Sequence, residues 1–339
     1  MAEEQAAPSL NTTARHNEAA EHPIILPALD DNSAHQQSSE VFRFEFGQPG
    51  TDAEGVINTG LRCFGTPHAT EIWLGRGPVN VGHDGRVKLA GNADYLLGHV
   101  SIELSGPEHL AELGCAAYLE IVSSLRDSGF PHPVRTWNFI PYIHDGHDDD
   151  EGYRQFCVGR AVAISTLGLA SPDLPAATGI GTPRSRTLVV AVLSSRQRAR
   201  HMENPRQVPA YCYPRQYGPR SPSFARATLI DGAGDASLFI AGTASVVGHD
   251  SVHHAQAEQQ TVETFTNIRE ILAVAAEETS RSSVGTWGGR VYVRNEADLL
   301  KIEEVVAGEG VLQIPPLYVE AHICRTELLV EIELVTRMR

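Results

Sequence analysis

Glu327-Leu328-Leu329-Val330-Glu331-Ile332-Glu333, near the C-terminal end, constrains the fold of this chain more than any other segment. Acidic and apolar residues alternate along it, and a period of two is typical of a strand with one buried face. We predict that a strand over residues 327–335 closes a sheet. On that strand Glu327, Glu331 and Glu333 lie on one face and the apolar residues on the other.

The elements before this strand combine strands with two helices. Going towards the N-terminus, the sequence predicts a strand at 317–323, a helix at 296–306, a strand at 290–294, a long helix at 253–278, and strands at 237–247 and 188–193. Strands that flank two helices predict an α+β fold, with a mixed sheet and both helices packed on one of its faces.

The first half of the chain has a similar order of elements. Its predicted elements are strands at 41–46, 71–75, 99–104 and 135–140, and a helix at 107–128. A length of 339 residues suits two modest cores better than one large core. We therefore expect two domains of similar α+β type. The predicted divisions are a mobile N-terminal arm at 1–37, an N-terminal domain at 38–150 and a C-terminal domain at 151–339.

Composition excludes several classes of function. Against 42 Asp and Glu residues stand 27 Lys and Arg, and the net charge of -15 repels nucleic acid and anionic membrane surfaces. A small anionic substrate would therefore need a local basic pocket. No basic leader with an apolar core and no bilayer-length apolar run is present. The five cysteines lack paired spacings, so we expect a cytoplasmic protein without disulfides or structural zinc.

Glu331 and Cys324 are candidates for catalysis near the C-terminus. A strand with one solvated face explains the glutamates without any function. If one of them lines a pocket instead, burial raises its pKa and makes it a proton donor. Cys324 lies seven residues before Glu331, so the two share a pocket only if the chain turns at Arg325–Thr326. A lone cysteine is also commonly a small core residue.

A second group of candidates lies in residues 211–226, which carry three tyrosines and three arginines among Pro and Gly. Arginine forks and tyrosine hydroxyls donate to carboxylates, so the segment predicts an anion-binding loop, to which Arg154 and Arg160 add. Surface arginines that pair with the acidic excess are the alternative. Gly242 inside a predicted strand indicates close approach of a ligand or another backbone. His249, His253 and His254 have no zinc-site spacing, so we expect no metal.

Several segments resemble the YjgF/RidA superfamily and, over the ordered chain, the chorismatases, a two-domain relative. The likeness to YjgF/RidA rests on residues 239–244, 258–261, 266–268 and on Val330-Glu331-Ile332-Glu333. The likeness to chorismatases rests on Arg135-Thr136-Trp137-Asn138-Phe139-Ile140-Pro141, residues 153–160 and Tyr213-Pro214-Arg215-Gln216-Tyr217-Gly218-Pro219-Arg220. The C-terminal domain is accordingly expected to be YjgF/RidA-like.

The resemblance implies chorismate as substrate, without a metal or organic cofactor. Cleavage of its enolpyruvyl ether begins with protonation of the terminal methylene, and the resemblance implies that Glu331 is the acid. It also implies that Cys324, just ahead of the last strand, directs the products to pyruvate and 3-hydroxybenzoate. The residues expected to bind the carboxylates or line the pocket are Arg160, Tyr213, Arg220, Arg226, Gly242 and Thr243.

Other functions stay open. Hydrolysis of chorismate gives pyruvate and a trans-dihydroxycyclohexadiene carboxylate, and Ala244 keeps it open because the hydrolytic branch has Ala in the region of Gly242. A third outcome is a mixture of 3- and 4-hydroxybenzoate. Two alternatives belong to other functional classes: a RidA-like imine deaminase and a non-catalytic ligand-binding module. We expect a monomer rather than a trimer, because a duplicated chain supplies both walls of a site that RidA proteins build between subunits.

Overall fold

The computed structural model describes residues 20–26, 37–47, 52–312 and 314–339. Within these ranges no helix is long and apolar enough to cross a membrane. The α-helices are α1 (Leu110–Asp127), α2 (Gly152–Thr166), α3 (Ala257–Thr279) and α4 (Leu299–Glu309).

The first four strands form a small sheet in the order β1-β4-β2-β3. They are β1 (Ala20–Ile25), β2 (Ser38–Phe46), β3 (Val56–Asn58) and β4 (Ala69–Arg76). Phe42, Phe44 and Phe46 on β2 are buried, as the alternation in this segment predicts. Strand β1 pairs parallel with β4 and buries Ile24.

The next six strands form the first large sheet in the order β5-β6-β7-β10-β8-β9. They are β5 (Asn80–Asp84), β6 (Val87–Gly91), β7 (Tyr95–Glu103), β8 (His132–Ile140), β9 (Ala176–Gly181) and β10 (Thr187–Ser195). Helix α1 connects β7 to β8, and α2 connects β8 to β9. Both helices contribute to one apolar cluster with residues of this sheet.

The second large sheet repeats this order as β11-β12-β13-β18-β16-β17. Its strands are β11 (Arg200–Met202), β12 (Ala227–Asp231), β13 (Ala236–Ala244), β16 (Ser283–Val293), β17 (Leu317–Glu320) and β18 (Val330–Met338). A short hairpin of β14 (Val246–Val247) and β15 (Asp250–Ser251) follows β13. In both large sheets the last strand lies in the centre and one edge pair is parallel. This shared topology supports an internal duplication.

A common core joins the three sheets on the sides away from the helices. The Phe42 and Trp73 rings of the small sheet stack at 5.1 Å, and Phe44 meets Trp137 of the first large sheet at 5.0 Å. Trp73 also stacks on Phe239 of the second large sheet at 6.2 Å. Large aromatic side chains bury much apolar area, so this cluster fixes how the two large sheets meet.

The predicted α+β class with mixed sheets and helices on one face is confirmed. The predicted start of the last strand at Glu327 is wrong, because β18 begins at Val330. A hydrogen bond of 3.2 Å from the Leu328 N–H to the Arg325 carbonyl closes a turn there, so Glu327 does not share a strand face with Glu331.

The predicted domain boundary at residue 150 divides the first large sheet. Strands β9 and β10 follow α2, yet they pair with β8 and β7. We propose that the boundary lies between β10 and β11 instead. Of the predicted arm, Ile24 and Leu26 are buried, while residues 1–19 and 27–36 lie outside the described ranges.

Helix α2 is not evident from sequence periodicity, because glycines and an arginine interrupt the apolar residues Phe156, Cys157 and Ala163 on its buried face. Gly152, Gly159 and Arg160 are among its buried residues. A Cβ atom at Gly159 would lie 1.9 Å from the Ala111 carbonyl oxygen of α1. Glycine therefore allows the two helices to pack closely, and this replaces the apolar periodicity that normally reveals a surface helix.

Candidate active site

A cavity of about 370 Å³ lies where the two large sheets meet, a size typical of small-molecule sites. The Ala176–Ala225 bridge joins the halves beside it. The first half contributes residues of α2, β8 and β9, and the second half contributes residues of β13 and β18. The segment 207–226 and the turn at 324–328 complete the wall.

Glu331 on β18 lines this cavity with only 4% of its surface exposed. Burial raises the pKa of Glu331 to about 8, and the charge of Glu333 adds to the shift while Arg135 and Arg226 oppose it. A carboxyl group with this pKa is mostly protonated at neutral pH. A neutral carboxyl group that lines a cavity has a proton to donate to a ligand bound there.

Glu333, two residues further along β18, has the opposite character. Arg135 Nη2 donates to its Oε2 at 2.8 Å, and Arg290 Nη1 lies 3.1 Å from its Oε1. The Trp137 indole donates at 3.2 Å, and the Thr178 hydroxyl also donates to Glu333. Burial alone would raise the pKa of Glu333, but these partners, led by Arg290 and Arg135, lower it. Glu333 is thus a structural anion that does not line the cavity.

Gly242 on β13 makes room for the Glu331 carboxyl group. A Cβ atom at Gly242 would lie 1.9 Å from Glu331 Oε1, so any larger residue at this position would displace the carboxyl group. The Gly242 N–H donates to Thr178 Oγ1 at 3.1 Å, which ties this strand to the network around Glu333. The glycine predicted the approach of a ligand or another backbone, whereas the group that lies against Gly242 in the structure is the Glu331 side chain.

Arginines concentrate positive charge in the cavity, although the chain is acidic. Arg154, Arg160, Arg226 and Arg325 line it. Arg160 donates to Thr136 Oγ1 at 3.2 Å, yet its Nε is buried and has no partner among the described residues, and the same holds for Nε of Arg226. Buried guanidinium donors without protein partners suit an anionic ligand, because a ligand oxygen would then complete their hydrogen bonds.

Tyr213 connects two of these arginines. Arg226 Nη2 donates to the Tyr213 hydroxyl at 2.7 Å, and the Arg325 guanidinium lies 5.2 Å from the Tyr213 ring centre. Arg325 also stacks at 3.9 Å on Tyr217 and donates to the His249 carbonyl at 2.9 Å. The aromatic loop therefore holds the cations in place.

Cys324 lines the same cavity as Glu331, because the turn at Arg325–Thr326 redirects the chain before β18. Burial raises the pKa of the Cys324 thiol to about 12, and the charge of Glu331 contributes. The thiol stays protonated at neutral pH and is therefore a poor nucleophile.

Comparison with known proteins identifies the family. Over 274 residues the chain is 35% identical to a chorismatase of Streptomyces rapamycinicus, a match that spans 78% of this chain and 80% of that protein. The chain belongs to the chorismatase family. A 3-hydroxybenzoate synthase of Streptomyces hygroscopicus is 34% identical over 277 residues, with 78% of this chain and 80% of that protein covered.

Family and structure comparisons agree with this. The family model described as Chorismatase FkbO/Hyg5-like, N-terminal, matches residues 71–194, which end at β10. A chorismatase crystal structure is similar to this chorismatase with a TM-score of 0.77 and 29% identity, and the match covers 88% of this chain and 92% of that one. The resemblance inferred from the sequence segments is therefore confirmed.

The structure brings six of the eight predicted site residues to the cavity, namely Glu331, Cys324, Arg160, Tyr213, Arg226 and Gly242. Arg220 is exposed and does not line it, although Arg226 from the same segment does. Thr243 is buried between Gly242 and Ala244, which both line the cavity, and its hydroxyl donates to the Ala241 carbonyl at 2.8 Å. Alternation along the strand turns Thr243 away.

Lining residues that the sequence analysis did not assign to the site include Asn138, Tyr153, Gln207 and Arg325. Asn138 and Tyr153 lie in segments that resemble chorismatases, so the resemblance was the available signal. Arg325 counted only as part of a turn. Gln207 precedes the Arg/Tyr segment and had no signal of its own.

Proposed function

We propose that this chain is a chorismatase that cleaves the enolpyruvyl ether of chorismate and forms 3-hydroxybenzoate and pyruvate. The relatives named chorismatase and 3-hydroxybenzoate synthase support this function. The observation that carries it is a protonated carboxyl group, Glu331, in a cavity lined by arginines. Chorismate has two carboxylates for the arginines and an enol ether for the acid.

Glu331 acts in the first step. Its proton moves to the terminal methylene of the enolpyruvyl group, which becomes a methyl group, and the positive charge is shared with the ether oxygen as an oxocarbenium ion. The carboxylate left on Glu331 faces this cation. Arg160 and Arg226, each with a buried and unpartnered Nε, hold the substrate carboxylates.

The ring hydroxyl acts in the second step. Its oxygen attacks the neighbouring ring carbon as the bond from that carbon to the ether oxygen breaks, and pyruvate leaves. The proton of the hydroxyl passes to the Glu331 carboxylate, which regenerates the acid. The arene-oxide-like product opens and aromatises to 3-hydroxybenzoate, so the overall reaction consumes neither oxidant nor water. Gly242 against the acid and Cys324 beside it fit this branch, whereas the hydrolytic branch has Ala in the region of Gly242.

Chromatography of a chorismate incubation tests the proposed function. We expect 3-hydroxybenzoate and an equal amount of pyruvate. A dihydroxycyclohexadiene carboxylate as the main product would support the hydrolytic alternative, which Ala244 keeps open because it also lines the cavity. Unchanged chorismate would contradict the function and favour an imine deaminase or a binding module.

Replacement of Cys324 by alanine tests whether this residue determines which product forms. The variant is expected to release pyruvate at a rate within about tenfold of wild type, since the acid remains, but to shift the products towards the diol. Water can occupy the space of the missing thiol and compete with the ring hydroxyl. The measurement is the ratio of diol to 3-hydroxybenzoate.

Cys157→Ala is the matched control for this prediction. Cys157 also lines the cavity, and burial raises the pKa of its thiol to about 12 as well. We expect its product ratio to equal that of wild type. An unchanged ratio in Cys324→Ala, or an equal shift in both variants, would remove the role assigned to Cys324.

We also propose that a monomer is sufficient for activity. Both halves of one chain line the cavity, which supports this proposal.

A further inference from the structure

Gln207 presents an unsatisfied acceptor beside the cavity. Within the described residues, the buried polar side-chain atoms without a partner include three that belong to cavity-lining residues: Nε of Arg160, Nε of Arg226 and Oε1 of Gln207. The first two are donors and suit carboxylates. The third is an acceptor, so it requires a ligand group that donates a hydrogen bond.

The Gln207 amide is fixed in its orientation. Its Nε2 donates to the Val246 carbonyl at 3.0 Å, which leaves Oε1 as the free end of the amide. The Gln207 backbone N–H donates to the Asn204 carbonyl at 2.9 Å, and the next residue, Val208, donates to the Gly248 carbonyl at 2.9 Å. A side chain held at both backbone and amide is preorganised to receive a donor.

The same contacts place Gln207 near the acid. Val246 lies two residues beyond Ala244, which is opposite Glu331 in the pairing of β13 with β18. Asn267 Nδ2 donates to the carbonyls of both Ala244 and Val246, at 3.1 and 3.0 Å, and so holds this segment against α3. The acceptor and the acid therefore belong to one region of the wall.

We propose that Gln207 Oε1 accepts a hydrogen bond from the ring hydroxyl of the substrate and so selects substrates that carry this hydroxyl. This inference rests on the proposed function. At neutral pH the two carboxylates of chorismate are ionised and the enol ether has no donor, so the hydroxyl is the group that can donate. In chorismate the ring carbon that bears the hydroxyl is bonded to the ring carbon that bears the enolpyruvyl ether. The hydroxyl therefore lies near the group that the acid protonates, as a hydroxyl site close to Glu331 requires.

Binding measurements test this assignment in a variant that turns over its ligand very slowly. The full-length Glu331→Gln variant is titrated by calorimetry with chorismate and with an analogue in which hydrogen replaces the ring hydroxyl. We expect chorismate to bind at least about tenfold more tightly, because the analogue leaves the buried Gln207 acceptor without a partner. When Gln207→Met is added, the two ligands should bind within about twofold of each other.

Gln216→Met in the same background is the matched control. Gln216 also lines the cavity, but it is exposed to solvent, so the preference for chorismate should persist. Gln207→Met keeps the side-chain volume, and the Val246 carbonyl retains its bond from Asn267. If this variant does not fold, Gln207→Asn, which withdraws the amide by one methylene, should reduce the preference in the same direction.

The outcomes separate this inference from the proposed function. A preference for chorismate that survives both substitutions of Gln207 overturns the inference, and so does the absence of a preference in the parent protein. In either case, formation of 3-hydroxybenzoate and pyruvate by wild type upholds the proposed function. If the parent binds no chorismate and wild type releases no pyruvate, both are overturned.

Discussion

Replacement of Glu331 by glutamine is expected to lower the rate of pyruvate release from chorismate about a thousandfold, within the range that general acid catalysis contributes. Glutamine has nearly the same shape and fits beside Gly242, but it cannot transfer a proton to the substrate methylene. Chorismate should still bind, because the arginines remain. The measurement is kcat and KM for pyruvate formation, with the largest change in kcat.

Glu327→Gln is the matched control for this substitution. Glu327 lines the same cavity but accepts a hydrogen bond from Ser251 at 2.8 Å. Burial would raise the pKa of Glu327, but Ser251, its own backbone and Arg325 outweigh burial and lower it. An ionised carboxylate is not an acid, so its loss should cost less than about tenfold in rate. Equal losses of rate in Glu331→Gln and Glu327→Gln would contradict the assignment of Glu331, rather than Glu327, as the acid.

Replacement of Glu333 by glutamine should destabilise the fold by about 3 kcal/mol or more, because it leaves buried guanidinium charge uncompensated. Arg135 is 1% and Arg290 0% exposed. Arg290 keeps Glu71, with Nε and Oε2 2.9 Å apart, whereas Arg135 loses its carboxylate partner. Urea unfolding at pH 7 gives the change in free energy.

The Glu333→Gln substitution should also lower the pKa of Glu331. The charge of Glu333 raises the pKa of Glu331, and the positive charge of Arg135 opposes it. Without Glu333 the pKa of Glu331 falls, so the protonated form is lost at lower pH. The rate of the variant should therefore decline at lower pH than the rate of wild type, as a pH–rate profile would record.

Glu320→Gln is the control that separates the effect of burial on stability from the effect of the number of ion-pair partners. Glu320 also pairs with two arginines, Arg62 at 2.8 Å and Arg184 at 2.8 Å, but these side chains are 37% and 62% exposed. Ion pairs of this kind contribute about 1 kcal/mol or less. An equal loss of stability in Glu320→Gln and Glu333→Gln would contradict the prediction that burial makes the Glu333 network important for folding. An unchanged pH–rate profile in Glu333→Gln would contradict the prediction that the charge of Glu333 raises the pKa of Glu331.

Local patterns in the sequence predicted the second half of the fold well. The alternation through Val330-Glu331-Ile332-Glu333 placed both glutamates on one face, and the long helix lies close to its predicted position, although β16 begins at Ser283 rather than at Arg290. Helix α2 could not be predicted in this way, because glycines and an arginine interrupt the apolar residues of its buried face, and Gly159 packs against α1.

The candidate site was predictable only in part for a similar physical reason. Strand parity put Glu331 and Glu333 together but did not distinguish an acid from a structural anion. That difference depends on Arg135 and Arg290, which come from strands distant in sequence. Arg220 and Arg226 were equivalent candidates within one loop, and only the path of that loop decides which of them faces the cavity.

The titration of the Glu331 carboxyl group tests the central claim most directly. In the protein labelled with ¹³C-glutamate, its carboxyl resonance is identified by its absence in Glu331→Gln and followed with pH. A folded-state pKa raised by burial means that the protonated, active form persists at neutral pH and is lost as pH rises through about 8. We predict a midpoint near that value and a parallel decline in kcat. A midpoint below about 5, in the range of an ordinary glutamate, would contradict the assignment of Glu331 as the acid.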